Sequence, residues 1–323
     1  VSGLGGYWAW QKVTGPAARF DADSKVLLIP RGADLDVVVD SLHVIGAIQD
    51  ERAFRWLCEQ KKYSNKVKPG RYRIPNGISM NALVNKLRSG DQEPVKVTFN
   101  GIRRLPELAG KLGRVLEPDS VAFMQVLMDG DAQRKAGYTA ETFIAAFVPN
   151  TYEFWWTTTP EEFLERMAKE YKRFWTEERE AKAKGINLSQ AEVATLASIV
   201  QAETAKPDEA PIIAGVYLNR LRIGMPLQAD PTLKFALGLD SLTRILTEDL
   251  QVASPYNTYT HAGLPPGPIA NPGRAALAAA LDPAPVDYLY FVANGEGGHA
   301  FAATLAEHNR NVARWRALQR TAP

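Results

Sequence analysis

The sequence predicts an α+β protein in two parts: a small α+β N-terminal subdomain, then a larger, mostly helical α+β domain with a β-hairpin near its C-terminus. Three observations lead there. Short β-type runs such as Val95-Lys96-Val97-Thr98-Phe99 are scattered among longer segments with helical apolar spacing. A complete strand, helix, helix, strand, helix set ends at Ser89-Gly90, which is a size that folds alone. The chain has 323 residues, 46% of them hydrophobic, enough for roughly two cores. The boundaries read as 1–23 for a membrane-proximal stub, 24–94 for the subdomain and 95–323 for the larger domain.

Val1 to Trp10 is apolar and ends in aromatics, which fits either the exit from an N-terminal membrane anchor or a frayed terminus. It is too short to span a bilayer, for which about 20 apolar residues are needed. Val26-Leu27-Leu28-Ile29-Pro30 is a strand closed by proline. Leu35, Val38, Val39, Leu42 and Ile45 form a helical stripe, and a second helix covers about Glu51 to Lys61. Lys68 to Pro75 turns into a strand, and Ser79 caps a helix to Arg88. Residues from about Pro106 to Lys184 are mostly helical, interrupted at Val148 to Phe154, with one long helix expected from Pro160 to Ala183. Trp155-Trp156 is either core or a platform for stacking sugars. Tyr288 to Ala302, centred on Asn294-Gly295-Glu296-Gly297-Gly298, reads as a hairpin, and Leu305 to Leu318 as the closing helix.

Composition removes several function classes. Lys plus Arg is 38 against 36 Asp plus Glu, so nothing in the overall charge draws nucleic acid. The one cysteine, Cys58, forms no internal disulfide and belongs to no Cys-x-x-Cys knuckle; it reads as a small buried residue. No Gly-x-Ser-x-Gly elbow, His-Glu-x-x-His helix or phosphate loop occurs, and no metal or cofactor is expected.

The segment from Ser189 to Glu203 is the most informative. Ser189 and Glu192 have capping-box spacing, and the stripe Leu196, Ile199, Val200 continues onto Glu203. A carboxyl on the core-facing side at a helix C-terminus is favoured in its protonated form, as a general acid requires. The same pattern also fits a solvated Glu at a helix end, or one paired with Lys206. The next helix, about Glu209 to Arg222, sets Asn219 on the face of Ile212 and Val216, where an amide needs a partner. Beyond it, Gln228, Asp230, Tyr256, Asn257, Thr258 and Asn271 lie on loops rich in Pro and Gly. Amides, hydroxyls and aromatics around one acid suit a neutral polyhydroxylated ligand such as a glycan. Glu203 is the candidate acid of such a site, and Asn219, Gln228, Asp230, Tyr256, Asn257, Thr258 and Asn271 are the candidates for holding substrate or the loops themselves.

Those residues lie in blocks that resemble the YceG-like endolytic murein transglycosylases. The blocks are Leu196 to Thr204, Ala214 to Leu221, Gly224 to Thr232, Tyr256 to Tyr259, Gly263 to Gly273 and Tyr288 to Val292, in that order. Pro149-Asn150-Thr151-Tyr152-Glu153 is similar to a family block in which Asp is frequent at the second position, and 24–94 is similar to a LysM-like subdomain. The resemblance implies a single-pass inner-membrane protein whose catalytic part lies in the periplasm. It also implies internal cleavage of the MurNAc–GlcNAc β-1,4 bond of nascent peptidoglycan, leaving a 1,6-anhydro-MurNAc end. The family's catalytic acid maps onto Glu203; some relatives carry an acid where this chain has Gln201. The implied partners are glycan strands and, by proximity, the synthases that polymerise them. A muramidase-type hydrolase and a non-catalytic peptidoglycan-binding scaffold are the competing expectations.

Overall fold

The structure is a computed structural model that describes residues 13–239 and 245–321. The stub Val1 to Trp10 lies outside the described residues. The chain divides into two compact units, and the division is discontinuous in sequence.

The first unit holds the described residues up to Val97, together with Gly110–Phe123 and Thr151–Pro160. It begins with β1 (Ser24–Ile29), α1 (Leu35–Val44), α2 (Glu51–Gln60), β2 (Gly70–Pro75) and α3 (Met80–Ser89), the order expected. The strands β1 and β2 are antiparallel, with Ser24 opposite Pro75 and Ile29 opposite Gly70. Asp34, Asp50 and Ser79 each accept a backbone N–H from three residues on, which fixes where the three helices start. The helix faces and the inner face of the sheet close on one cluster that includes Leu27, Leu42, Phe54, Tyr72, Ile74 and Leu83. Cys58 is buried there as read, and burial pushes its thiol up to about 12.

Two boundaries differ from the sequence reading. Residues ahead of Ser24 belong to this core: Ala17 and Ala18 are fully buried, and the Ala17 N–H donates to Ile78 O at 2.7 Å. Two small side chains there let the backbone pack closely, so 1–23 is not a detached stub as far as it is described. The unit also takes in segments from beyond residue 94, where β3 (Val95–Phe99) pairs with β4 (Asn150–Phe154). Trp155 is 51% exposed and Trp156 half-buried, so this pair is not core.

The second unit holds Thr98–Ala109, Met124–Asn150 and Glu161 onward. The helices α4 (Leu105–Gly113) and α5 (Ser120–Leu127) are each divided in sequence between the two units; after α6 (Gly130–Lys135), the single long helix expected from Pro160 to Ala183 is two: α7 (Pro160–Phe174) and α8 (Glu177–Gly185). Thr176 supplies the break as the N-cap of α8, with Glu177, Glu178 and Glu180 in the first turn complementing the helix dipole. Next come α9 (Gln190–Glu203), α10 (Ala210–Arg222), α11 (Asp230–Leu237) and α12 (Arg274–Leu281). The hairpin β5 (Tyr290–Ala293) and β6 (His299–Ala302) and the helix α13 (Leu305–Thr321) complete it.

The helix α9 is the axis of this unit. Val193 to Val200 are buried without interruption, against α10 and α12 among others. An apolar stripe underestimates such a helix, because every face of it meets protein. The helix α10 approaches the loop before β5 closely at Gly215, where a Cβ would fall 2.7 Å from Ala284 O.

Candidate active site

The site is built at the C-terminal end of α9. The capping box formed by Ser189 and Glu192 sets where the helix begins, and fourteen residues later Glu203 is its last residue. Glu203 is half-buried, and the phenol of Tyr217 on α10 donates to its Oε1 at 2.7 Å. Burial raises the carboxyl to about 7, against the lowering effect of that hydrogen bond. The negative charge of Asp230 pushes it up as well, while Lys234 and Arg220 pull it down more weakly. Tyr217 is fully buried beside this carboxyl, which holds its phenol protonated and therefore a donor. With Oε1 occupied as an acceptor, a proton on Glu203 resides on Oε2.

Glu203 opens into a cavity of about 360 Å³. Gln228 and Asp230 form part of its wall, with Tyr259, whose hydroxyl donates to Asp230 Oδ1. Leu227, Tyr290, Phe291 and Leu305 supply apolar surface, and Arg220 and His308 complete the lining. Gln228 sits in the left-handed backbone region at φ 49°, where its N–H donates to Thr258 O at 3.0 Å. A non-glycine residue held there is strained, and its exposed amide is presented at the cavity wall.

Arg220 joins two walls. Its Nε donates to Leu289 O at 2.7 Å and its Nη1 to Leu227 O at 2.6 Å, which couples the loop after α10 to the entry of β5. His308 on α13 stacks on Tyr290 with ring centroids 5.2 Å apart. Burial and the Arg220 charge lower its pKa, so the imidazole is neutral near pH 7.

The expected site residues separate into two groups. Glu203, Gln228 and Asp230 come together at the cavity. The other five do not line it. Asn219 donates through Nδ2 to Val286 O and Tyr288 O. Asn257 is fully buried and donates to Leu250 O and Val252 O. Thr258 accepts from Ala229 N–H and meets the Thr232 hydroxyl at 2.8 Å. Asn271 accepts from Ile102 N–H at 2.7 Å and donates to Phe147 O at 3.0 Å. Tyr256 packs on Phe235 at 4.7 Å between centroids. These are loop-holding residues, because buried amides and hydroxyls take the nearest backbone partners. Glu153, the acid that ends the Pro149 to Glu153 block, is exposed on β4 and is not in the cavity lining.

Tyr217, Arg220, Tyr259, Tyr290, Phe291 and His308 were missed from the sequence. Tyr217 and Arg220 did carry a signal: polar tips three residues apart on a buried helix need partners. Among the described residues no cluster of His, Cys, Asp and Glu could hold a metal ion.

The chain is 31% identical over 312 residues to the endolytic murein transglycosylase of Bacillus subtilis, covering 90% of this chain and 85% of that protein. It is 30% identical to the protein of the same name from Streptococcus pneumoniae, covering 96% of this chain and 62% of the longer relative. A crystal structure of a putative YceG-like protein from Listeria monocytogenes superposes with a TM-score of 0.62 at 27% identity, over 89% of this chain and 98% of that one. The model of the YceG-like family matches residues 27–314, and the chain belongs to that family.

Proposed function

We propose that this protein is an endolytic murein transglycosylase that cleaves the MurNAc–GlcNAc bond inside a glycan strand, with Glu203 as its acid and base. The observation that supports this most is a half-buried carboxyl raised to about 7, hydrogen-bonded by Tyr217 and open to a 360 Å³ cavity. A glutamic acid about half protonated at neutral pH delivers a proton to the glycosidic oxygen as the C1–O bond breaks. The electrons of that bond leave with the oxygen, and positive charge develops at C1 and the ring oxygen. Glu203, now a carboxylate, takes the proton from the C6 hydroxyl of the same MurNAc as that oxygen attacks C1. The product is a 1,6-anhydro ring, and Glu203 is again protonated. Since the nucleophile belongs to the substrate, one carboxyl serves both steps.

The named relatives act on murein by their names, which supports the substrate class. A murein substrate places the catalytic unit on the outer side of the cytoplasmic membrane. An N-terminal anchor, proximity to glycan-polymerising synthases and a glycan-binding role for a LysM-like first unit belong to the same proposal.

The second reading is hydrolysis, favoured by a second carboxylate, Asp230, in the same cavity. Hydrolytic glycosidases commonly pair two such groups. The deciding experiment digests purified glycan strands with wild type and Glu203→Gln and weighs the products. Anhydro ends support the transglycosylase, and reducing ends establish the hydrolase. A Glu203→Gln protein that folds normally yet keeps most of its activity refutes both assignments of this residue; the expected loss is about 10³-fold.

A further inference from the structure

Glu209, just ahead of α10, is a buried carboxyl that the reaction above does not use; the residue is 8% exposed. Three donors converge on it. The His299 backbone N–H reaches Oε1 at 3.0 Å, His299 Nδ1 lies 2.7 Å from Oε2, and the Thr204 hydroxyl donates to Oε2 at 3.2 Å. A carboxylate only accepts, so Nδ1 of His299 carries its hydrogen. Burial pushes the Glu209 carboxyl up, but the bonds from His299 outweigh that and hold it below its ordinary value. It is therefore charged at neutral pH, and its donors make charge-assisted hydrogen bonds to it.

Those donors belong to the two elements that enclose Glu203. Thr204 directly follows Glu203 and caps α9. His299 opens β6, and the partner strand β5 carries Phe291 into the wall of the catalytic cavity. The His299 ring meets Phe291 edge to face with centroids 5.2 Å apart, and Phe291 meets Tyr217 in the same way at 5.8 Å. Tyr217 is the residue that donates to Glu203. Glu209 thus reaches the acid from two sides, through the backbone at Thr204 and through three stacked contacts of rings. Lys206, which the sequence allowed as a partner of Glu203, donates to Glu296 O at 3.3 Å and ties the same turn to the hairpin a second time. The fit is close: a Cβ on Gly298 would fall 2.2 Å from Glu209 Oε1.

We propose that Glu209 and His299 are a positioning pair, whose hydrogen bond clamps the β5–β6 hairpin onto the end of α9 and keeps Phe291 seated against Tyr217, so that Glu203 stays dry and aligned. The proposal rests on Glu203 being the acid of the reaction above. Both residues act through others, so their loss falls on the rate rather than on substrate binding.

The test compares three variants of the whole chain. His299→Leu removes the donor, and His299→Asn returns an N–H close to the Nδ1 position. Gly298→Ala pushes the Glu209 carboxylate off His299 without altering a charged group. His299→Leu and Gly298→Ala should each lower kcat on glycan strands by about 10²-fold, the size of a small misplacement at the reacting centre, with KM within about twofold. In both, water entering beside Phe291 weakens the burial that sets Glu203 at about 7, so the midpoint of its titration moves down. That midpoint is read from the alkaline limb of the pH–kcat/KM profile and, independently of turnover, by 13C NMR of the Glu203 carboxyl in glutamate-labelled protein, assigned with Glu203→Gln. His299→Asn should regain most of the rate and the wild-type midpoint. A merely structural pair would lower the melting temperature and leave kcat per folded molecule and the midpoint in place; that result overturns the proposal, as does a midpoint that rises. Gly298→Ala carries the test if His299→Leu does not fold. Absence of cleavage by wild type sinks the murein reading, and the NMR midpoint then still decides for or against the clamp.

Discussion

At the scale of single residues, the proposed reaction depends on the Glu203 proton. Its carboxyl has an ordinary value of 4.5 and sits at about 7 in the fold, chiefly through burial. Activity that starts from the protonated acid should fall as pH rises through about 7. Tyr217→Phe removes a hydrogen bond that lowers this value, so the alkaline limb of the pH–kcat/KM profile should move upward. A limb that stays in place or moves to lower pH would contradict the role given to Tyr217. Stability responds with a definite sign. Between pH 4.5 and about 7 the native state binds more protons at Glu203 than the unfolded chain, so wild type loses stability as pH climbs through that window. Glu203→Gln removes this titration. Its melting temperature relative to wild type should therefore increase from pH 4 to pH 8, by an amount on the order of 1–3 kcal/mol in unfolding free energy. The sequence reading put Glu203 at the C-terminal end of the helix that begins after Ser189, and the structure has it there. Its hydrogen-bonding partner, fourteen positions along, needed the second helix to be docked.

Among elements, α9, α10 and the loops between them form the scaffold on which the cavity depends. Gly215 is where α10 meets the backbone at Ala284, and Gly215→Ala forces a Cβ to 2.7 Å from a carbonyl oxygen and 2.9 Å from Val286 Cγ2. A loss of about 1–3 kcal/mol is expected from overpacking there, measured by urea unfolding. Asn271→Ala leaves the Ile102 N–H and Phe147 C=O without this buried partner. It should cost about 2–4 kcal/mol and lower kcat by disordering the loop rather than by removing a substrate contact. Rescue of its activity by a distant stabilising substitution would confirm the loop role. Element starts were legible at Ser79 and Ser189, where a capping residue precedes a helical pattern. The break at Thr176 was not, since the polar run Thr176 to Glu180 suits the exposed side of one continuous helix as well as a restart, and the cap geometry decides for the restart.

For the whole molecule, the two hydrophobic clusters share no residue. Leu83 is fully buried in the first, and Leu83→Ala should remove about 2–5 kcal/mol from that unit. Denaturant unfolding followed by two probes should show the first unit's transition displaced and the second's unmoved, with kcat retained below the first transition. Equal displacement of both transitions would show that the cores are energetically one.

Local pattern by itself determined the α+β class, the order of the first five elements, the hairpin at residues 290–302 and the place of Glu203 at the end of its helix. Each is a matter of spacing along the chain and of capping groups within a few residues. Tertiary structure alone decided which polar side chains face the cavity and which hold the loops. Asn257, Thr258 and Asn271 have the same chemistry as a sugar-binding residue, and only burial against particular backbone groups turned them inward. It also decided that Ala17 and Ala18 join the first core, because close packing between segments distant in sequence leaves no periodic trace.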